Sequence, residues 1–510
     1  MRTRVRGALG AASLALALLA PGLVGAVGVG APARADDHPG TPHDPGEVID
    51  RAGRLLSPAA TATDRRFDLT LTMRDLFVAR PRLGFFDGLR ADLLLARPTD
   101  GLQDPGGDGY KGKSDEICGR RLCVHYARHG EDAPRSQDWV RRTLHVLSAV
   151  WSFEVDDFGM RRPPSDGHRG GDGRFDVYLA DLGNRGLFGY CTPESRVPGQ
   201  RFAASGYCVL DDDFARSQYG ARPLSSLRVT AAHEFFHAIQ FGYDFREDPW
   251  LLESTAMWME DQFADASNDN RRYLQYGSVR HPGVSLDLFS NTRYTQYGNW
   301  AFWQYLSEKY GRGIVRHVWA RADALGDAPD DYSVQALRRV LRHRDGLTAA
   351  LTGYATANLD PADHYEEGAH WPRARPSGTL RLAGGDRATR TLQVDHLAAA
   401  DLRIVPGSGA AGRHALLSIS VDAPDRRSAA VSVEVRRRSG HVLRRTVDLD
   451  RHGRGAAVLA FGAARTGSVV VTAVNGSTRY RCHRATTFAC SGKPLDQDRG
   501  FRITASVRRP

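Results

Sequence analysis

Between residues 65 and 100 apolar positions (Phe67, Leu69, Leu71, Leu76, Leu83 and Leu93 to Leu95) are interleaved with charged ones, which predicts one or two helices. Val140, Leu144, Leu147 and Trp151 recur at helical spacing within 139–158, and Gly159 closes that stretch. Residues 175–179 and 206–210 are short apolar runs that predict strands, and helical patterns dominate from Leu224 to about Leu347. Beyond a Pro- and Arg-bearing linker at 371–378 the period drops to two. Alternating segments at 380–382, 391–394, 416–421, 431–435, 469–474 and 501–507 predict five or six strands. Asn475-Gly476 stands where a hairpin turn is wanted. The C-terminal part therefore reads as a β-sandwich of about 130 residues.

The N-terminus changes the picture. Three arginines within residues 1–6 precede an uncharged stretch at 8–30, and Ala33-Arg34-Ala35 supplies a small-x-small cleavage pattern. Residues 1–35 are expected to be a signal peptide, which makes the mature protein secreted. Pro21 and several glycines interrupt the apolar run, which argues against a membrane anchor. No later segment is apolar for 18 residues, so no membrane association is expected after cleavage. Residues 36–110 form an N-terminal lead-in, flexible to about Thr63, that could serve as a propeptide. It contains no cysteine to plug a metal.

Composition excludes some classes. An apolar share of 41% and a charged share of 25% are globular values. The formal charge of +10 includes four arginines of the leader, and no block of like charge marks a nucleic-acid partner. Six cysteines suit an exported chain, and the pairing that closes the shortest loops is Cys118–Cys123, Cys191–Cys208 and Cys482–Cys490. No CxxC spacing favours a cysteine metal site.

The chemistry concentrates in Thr230-Ala-Ala-His233-Glu234-Phe-Phe-His237. On a helix His233 and His237 lie one turn apart on one face, so both imidazoles can reach one ion. Glu234 lies beside them, able to take a proton from a water. Leu227, Ala231, Phe235 and Ile239 can form the buried stripe, with Ser225 or Ser226 as cap. Chance gives about 0.02 such motifs for this composition. Zinc in a catalytic site needs a third protein ligand. Gln240 and Tyr243 stand where a metzincin would have Gly and His, so Glu253 on a second helix begun by Asp248-Pro249 is the candidate.

HExxH followed by Glu253-Ser-Thr-Ala256 resembles the gluzincin zinc metallopeptidases, and residues 93–313 resemble a set of secreted bacterial metallopeptidases. The resemblance rests also on the segments 95–101, 123–126, 175–179, 229–240 and 253–261. It implies an α+β chain with a zincin-like metallopeptidase domain at 111–372 and the all-β sandwich at 379–510. It implies Zn2+ held by His233, His237 and Glu253, with Glu234 as general base in hydrolysis of a protein or peptide substrate. Many gluzincins place an Asp four residues after the ligand Glu; Met257 stands there, so that orienting role passes to Glu260 or Asp261.

Residues 207–210 take the place of the edge strand on which zincins lay a peptide. Tyr297 is the candidate donor to the tetrahedral intermediate, with Tyr273, Tyr276 and His281 as competitors. Asp166, Asp172 and Asp176, and likewise Asp211-Asp212-Asp213, have the composition of Ca2+ loops without EF-hand spacing. Two other functions compete: a catalytically silent zincin-fold protein, which the intact Glu234 disfavours, and a surface-binding protein acting through its β-domain. Oligomeric state is not legible.

Overall fold

The computed structural model describes residues 44–508 apart from 58, 62, 65, 66, 101–108, 327, 408–414 and 426. The expected signal peptide lies outside the described residues. The described residues form one compact α+β unit.

Its first layer is helical: α1 (Pro45–Leu56), α2 (Leu69–Ala79) and α3 (Phe85–Leu94). The lead-in expected to be flexible is thus a helix from Pro45. Asp44 caps it by accepting from the Gly46 N–H, Pro45 presets its first turn, and Val48, Ile49, Ala52, Leu55 and Leu56 give it a buried stripe. A five-stranded sheet follows, built from β1 (Ser114–Cys118), β2 (Leu122–Ala127), β3 (Phe175–Ala180), β4 (Gly189–Arg196) and β5 (Ala204–Asp211) in the order β1-β2-β3-β5-β4. β2, β3 and β5 run parallel, and β1 and β4 are antiparallel edges.

Alternation along the strands assigns each face. Tyr178, Tyr190, Tyr207 and Val209 pack under α1 to α3. Phe175, Val177, Leu179, Cys208 and Leu210 point the other way, toward α4 (Gln137–Trp151), α5 (Arg216–Tyr219) lying beyond the sheet's end, and α6 (Pro223–Asp244). Two expectations are corrected here. Residues 207–210 are interior, because β4 folds back along β5 and the Cys191–Cys208 disulfide joins the two; the edge strand is β4. Neither Ser225 nor Ser226 caps α6, which starts at Pro223 with no side-chain cap. The expected stripe of α6 is fully buried. The other two disulfides, Cys118–Cys123 and Cys482–Cys490, are paired as expected.

The ligand-bearing helix α7 (Pro249–Ala264) is followed by α8 (Thr295–Gly298), α9 (Trp300–Tyr310), α10 (Gly313–Arg321), α11 (Ser333–Leu341) and α12 (Leu347–Ala357). The sandwich has two sheets. One is ordered β11-β10-β13-β8-β6 and the other β12-β9-β16-β7. Their strands are β6 (Gly378–Leu382), β7 (Arg387–Val394), β8 (Ala398–Pro406), β9 (Leu416–Asp422), β10 (Ala429–Arg437), β11 (Val442–Thr446), β12 (Arg454–Ala460), β13 (Thr466–Asn475) and β16 (Arg499–Arg508), with a small β14–β15 pair at Tyr480–Arg481 and Lys493–Pro494. Asn475-Gly476 is no hairpin turn: Asn475 ends β13 and its amide donates to the carbonyls of Val394 and Asp496. At the start of the 371–378 segment Trp371 is buried and stacked on Tyr365. Among the described residues no helix is long and apolar enough to cross a membrane.

Sandwich and helices meet at a buried ion pair. His396 Nε2 lies 2.7 Å from Asp287 Oδ1, both side chains being within 1% of full burial. Tyr480 and the Ala489 N–H donate to the other oxygen of Asp287, and Gln497 holds His396 Nδ1. Burial opposes both charges, but their pairing outweighs it, raising the His396 pKa and lowering that of Asp287. A raised histidine stabilises fully below its ordinary 6.5 and less as pH climbs through its folded value. A lowered carboxylate stabilises fully above its ordinary 3.8 and less as pH falls. The pair's contribution should therefore be greatest between those two values. Asp287→Asn is expected to cost about 3–5 kcal/mol in denaturant unfolding within that window and to remove the pair's loss of stability above and below it; an unchanged midpoint would exclude a structural role for the pair.

Candidate metal centre

α6 and α7 pack side by side with only residues 245–248 between them, so the two helices run antiparallel and face each other along their length. The start of α7 is fixed from outside: Asp248 at its N-cap accepts from Ser333 Oγ and, at 2.9 Å, from the Cys490 N–H. The C-terminal disulfide loop thereby anchors the helix that carries Glu253. Ala256 is fully buried.

His233 and His237 project from one face of α6 with ring centroids 4.7 Å apart. Glu253 reaches between them, Oε2 lying 3.4 Å from His233 Nε2 and Oε1 3.5 Å from His237 Nε2. The ligand atoms of all three lie within 4.8 Å of one another. Each ring is held by its other nitrogen. Nδ1 of His233 is 2.7 Å from Glu260 Oε1, and Nδ1 of His237 is 2.6 Å from Gln240 Oε1. The Gln240 amide nitrogen donates to the Leu252 carbonyl and Thr255 Oγ1, which fixes its oxygen toward His237. His237 Nδ1 must then carry the proton, leaving a bare lone pair on Nε2.

That lone pair and both oxygens of Glu253 are buried without a hydrogen-bond partner. Three acceptors facing one another in a dry site repel unless a cation lies among them. Burial lowers the His237 pKa to about 4, so the ring stays neutral. Burial also opposes a charge on His233, but Glu253 and Glu260 outweigh it and raise its pKa well above the ordinary value.

Glu234 is buried and turned toward the sheet. Thr70 Oγ1 donates to its Oε2 at 3.1 Å while accepting from the Cys191 N–H at 3.0 Å, so the direction of the hydroxyl proton is set. Burial, aided by Asp68 and Glu253, pushes the Glu234 carboxyl up to about 8. The edge strand starts against the same side chain: a Cβ on Gly189 would come within 3.0 Å of Glu234 Cγ and Thr230 Cγ2. Only glycine permits that approach. Tyr297 donates its hydroxyl to Asp68 Oδ2 at 2.7 Å, and burial beside Asp68 and Glu253 raises its pKa well above the ordinary value.

The predicted residues are thus partly assembled and partly dispersed. His233, His237 and Glu253 converge, Glu234 adjoins them, and Glu260 takes one imidazole. Asp261 accepts instead from Asn270. Tyr273 packs against Tyr297 with tilted rings 5.3 Å apart, and Tyr276 is exposed. The loop of Asp166, Asp172 and Asp176 is no cation site, because it already has its cations: Arg97 pairs with Asp166, Asp176 and Glu194, and Arg174 with Asp172. Gln240, Asp68, Thr70, Gly189 and Glu154 stand in no local sequence motif for such a centre. The last of these is the most isolated. It lies in a π-turn at Ser152–Asp157, fully buried, its oxygens unpartnered, and burial holds its carboxyl well above the ordinary range.

Residues 220–363 match a family of unknown function, DUF6055, a span that contains both helices of this centre. No curated protein matches the chain. Among solved structures, a periplasmic lysozyme inhibitor of g-type lysozyme from Aeromonas hydrophila, PliG, aligns at 12% identity over 26% of this chain and 96% of its own. Its TM-score is 0.14, so it bears on neither fold nor function here.

If Glu260 orients His233, Glu260→Gln should weaken affinity for a divalent metal by about 10–100-fold with the fold intact. Chelator competition measures this, and unchanged affinity would leave Glu260 a buried bystander.

Proposed function

We propose that this chain is an exported zinc-dependent metallopeptidase of gluzincin type, with a zincin-like α+β domain, and that it hydrolyses peptide bonds. The observation that carries the proposal is the unpartnered, buried set of His237 Nε2 and the Glu253 carboxylate beside His233 Nε2. Two imidazoles and one carboxylate are a donor set zinc takes in catalytic sites, where a fourth position stays open. His233, His237 and Glu253 would hold the ion, and Glu260 and Gln240 would hold the rings in the ligating tautomer. When bound, zinc supplies Lewis acidity toward a water and a substrate carbonyl.

The remaining steps belong to protein groups. Glu234 takes the proton of the attacking water and passes it to the leaving amine. Its carboxyl, pushed up to about 8 by burial, would ionise more readily beside a dication. Thr70 restrains one carboxylate oxygen, leaving the other for the water. β4 is the edge strand beginning at Gly189, next to Glu234; Thr70 takes its Cys191 N–H, and an extended peptide can lie along the edge beyond that bond. Tyr297 is the donor proposed for the developing oxyanion, a role in which its one hydroxyl proton turns from Asp68 to the oxyanion. Three disulfides with no free cysteine support an oxidising compartment, in keeping with the expected leader.

Two variants separate the roles. Glu234→Gln should keep zinc and lose hydrolysis of a mixed peptide library by about 10²–10⁴-fold or more. Glu253→Gln should lose both, its zinc stripped readily by chelator. Unchanged hydrolysis in Glu234→Gln would sink the peptidase reading, and wild-type zinc retention in Glu253→Gln would move the third ligand elsewhere.

The chain should also leave the cell without its leader. Amino-terminal sequencing of secreted material is expected to start near Asp36, and an intact Met1 on membrane-bound protein would refute export.

A further inference from the structure

The parallel strands β2, β3 and β5 bring their carboxyl ends to one rim of the sheet, and aspartates collect there. Asp181 follows β3 directly, Asp211 ends β5, Asp212 comes next, and Asp132 lies in the loop after β2. We propose that Asp181, Asp211 and Asp212 form a calcium site at this rim, separate from the histidine centre.

The carboxylate oxygens of the three residues lie within 4.8 Å of one another. Oxygens on opposite sides of a calcium ion, with bonds of about 2.3–2.6 Å, span a similar distance. Backbone amides hold the first of them in place. Asp211 Oδ1 accepts from the N–H groups of Leu182 and Gly183, at 3.0 and 2.6 Å, and Oδ2 from that of Phe214 at 2.6 Å. Asp181 is turned by its bond from the Asn184 amide, and Asp132 accepts from the Asp181 N–H. Carboxylate lone pairs remain after these bonds.

Asp212 is the independent sign of a ligand. The residue is only 7% exposed, and among the described residues no donor and no cationic side chain reaches its carboxylate. The largest charges acting on it are Asp211, Asp213, Asp181 and Asp132, all of its own sign, while Arg185 and Lys111 act on the neighbouring Asp132. Arg185 donates to the carbonyls of Leu56 and Asp181 rather than to these carboxylates. Asp213 accepts from the Ala215 N–H.

The box around Arg97 is the contrast within the same fold. There, three buried carboxylates converge on one guanidinium. At the rim three carboxylates converge with no such partner, and burying a like-charged group uncompensated is costly. An all-oxygen, all-anionic donor set suits a hard dication, and its assembly from two separate loops suits calcium's tolerance of irregular geometry.

The test uses the full chain, stripped of calcium and resupplied with zinc, then titrated with calcium chloride or magnesium chloride by calorimetry and thermal unfolding. Calcium should bind once per chain and raise the melting temperature, and magnesium at equal concentration should not. Asp212→Asn and the half-exposed Asp181→Asn should each weaken calcium binding by at least about tenfold, since each removes one anionic ligand. Both should retain zinc and wild-type circular dichroism. Without calcium, Asp212→Asn should melt no lower than wild type, because the amide relieves repulsion. His233→Ala should keep the calcium response, which makes this site's fate independent of the peptidase reading. Absence of a calcium response in the wild type, equal response to magnesium, or wild-type calcium affinity in both aspartate variants would overturn the site. Loss of the response in His233→Ala with its survival in Asp212→Asn would assign the ion to the histidine centre instead.

Discussion

The bare Nε2 of His237 and both oxygens of Glu253 share one dry space, and none of the three has a hydrogen-bond partner. Left alone, such a cluster would cost several kcal/mol. The fold nonetheless spends much of its architecture on building it. The two histidines need the long, fully buried α6, and Glu253 needs α7 at one fixed height beside it. That height is set by Asp248, which ties the helix start to Ser333 and to the loop closed by Cys482–Cys490. The C-terminal region is therefore a brace for the ligand helix as well as a sandwich, and the buried pair of His396 and Asp287 joins it to the same loops.

The N-terminal layer has a comparable role on the opposite side. α2 covers one face of the sheet, and its first turn sends Asp68 and Thr70 to Tyr297 and Glu234. Residues 69–79 thus contribute to the core and to the polar environment of the centre together. Removing them would uncover Tyr178, Tyr190 and Tyr207 as well as releasing Glu234.

What was legible in the sequence follows from range. The i, i+4 histidines, the stripe of Leu227, Ala231, Phe235 and Ile239, and the Asp248-Pro249 helix start are local patterns, and all three are present. Disulfides closing short loops were readable for the same reason. Residues 207–210 were placed on the edge because order along the chain says nothing of a hairpin folding back; β4, half polar and holding Pro193, gave little strand signal. Asp68 and Thr70 lie more than 160 residues from the groups they touch, and no spacing rule spans that distance. Composition misled at Asp166, Asp172 and Asp176, where the compensating charge comes from Arg97 and Arg174. In the sandwich β12 and the first half of β8, rich in alanine, lacked the large alternating residues by which strands are recognised.

The most direct test of the central claim is anomalous diffraction at the zinc absorption edge, from crystals of the secreted protein purified without chelator. A single strong peak is expected within about 2.0–2.2 Å of the Nε2 atoms of His233 and His237 and of a Glu253 oxygen. A zinc peak bonded elsewhere, or none beside these residues in protein that carries bound zinc, would contradict the account.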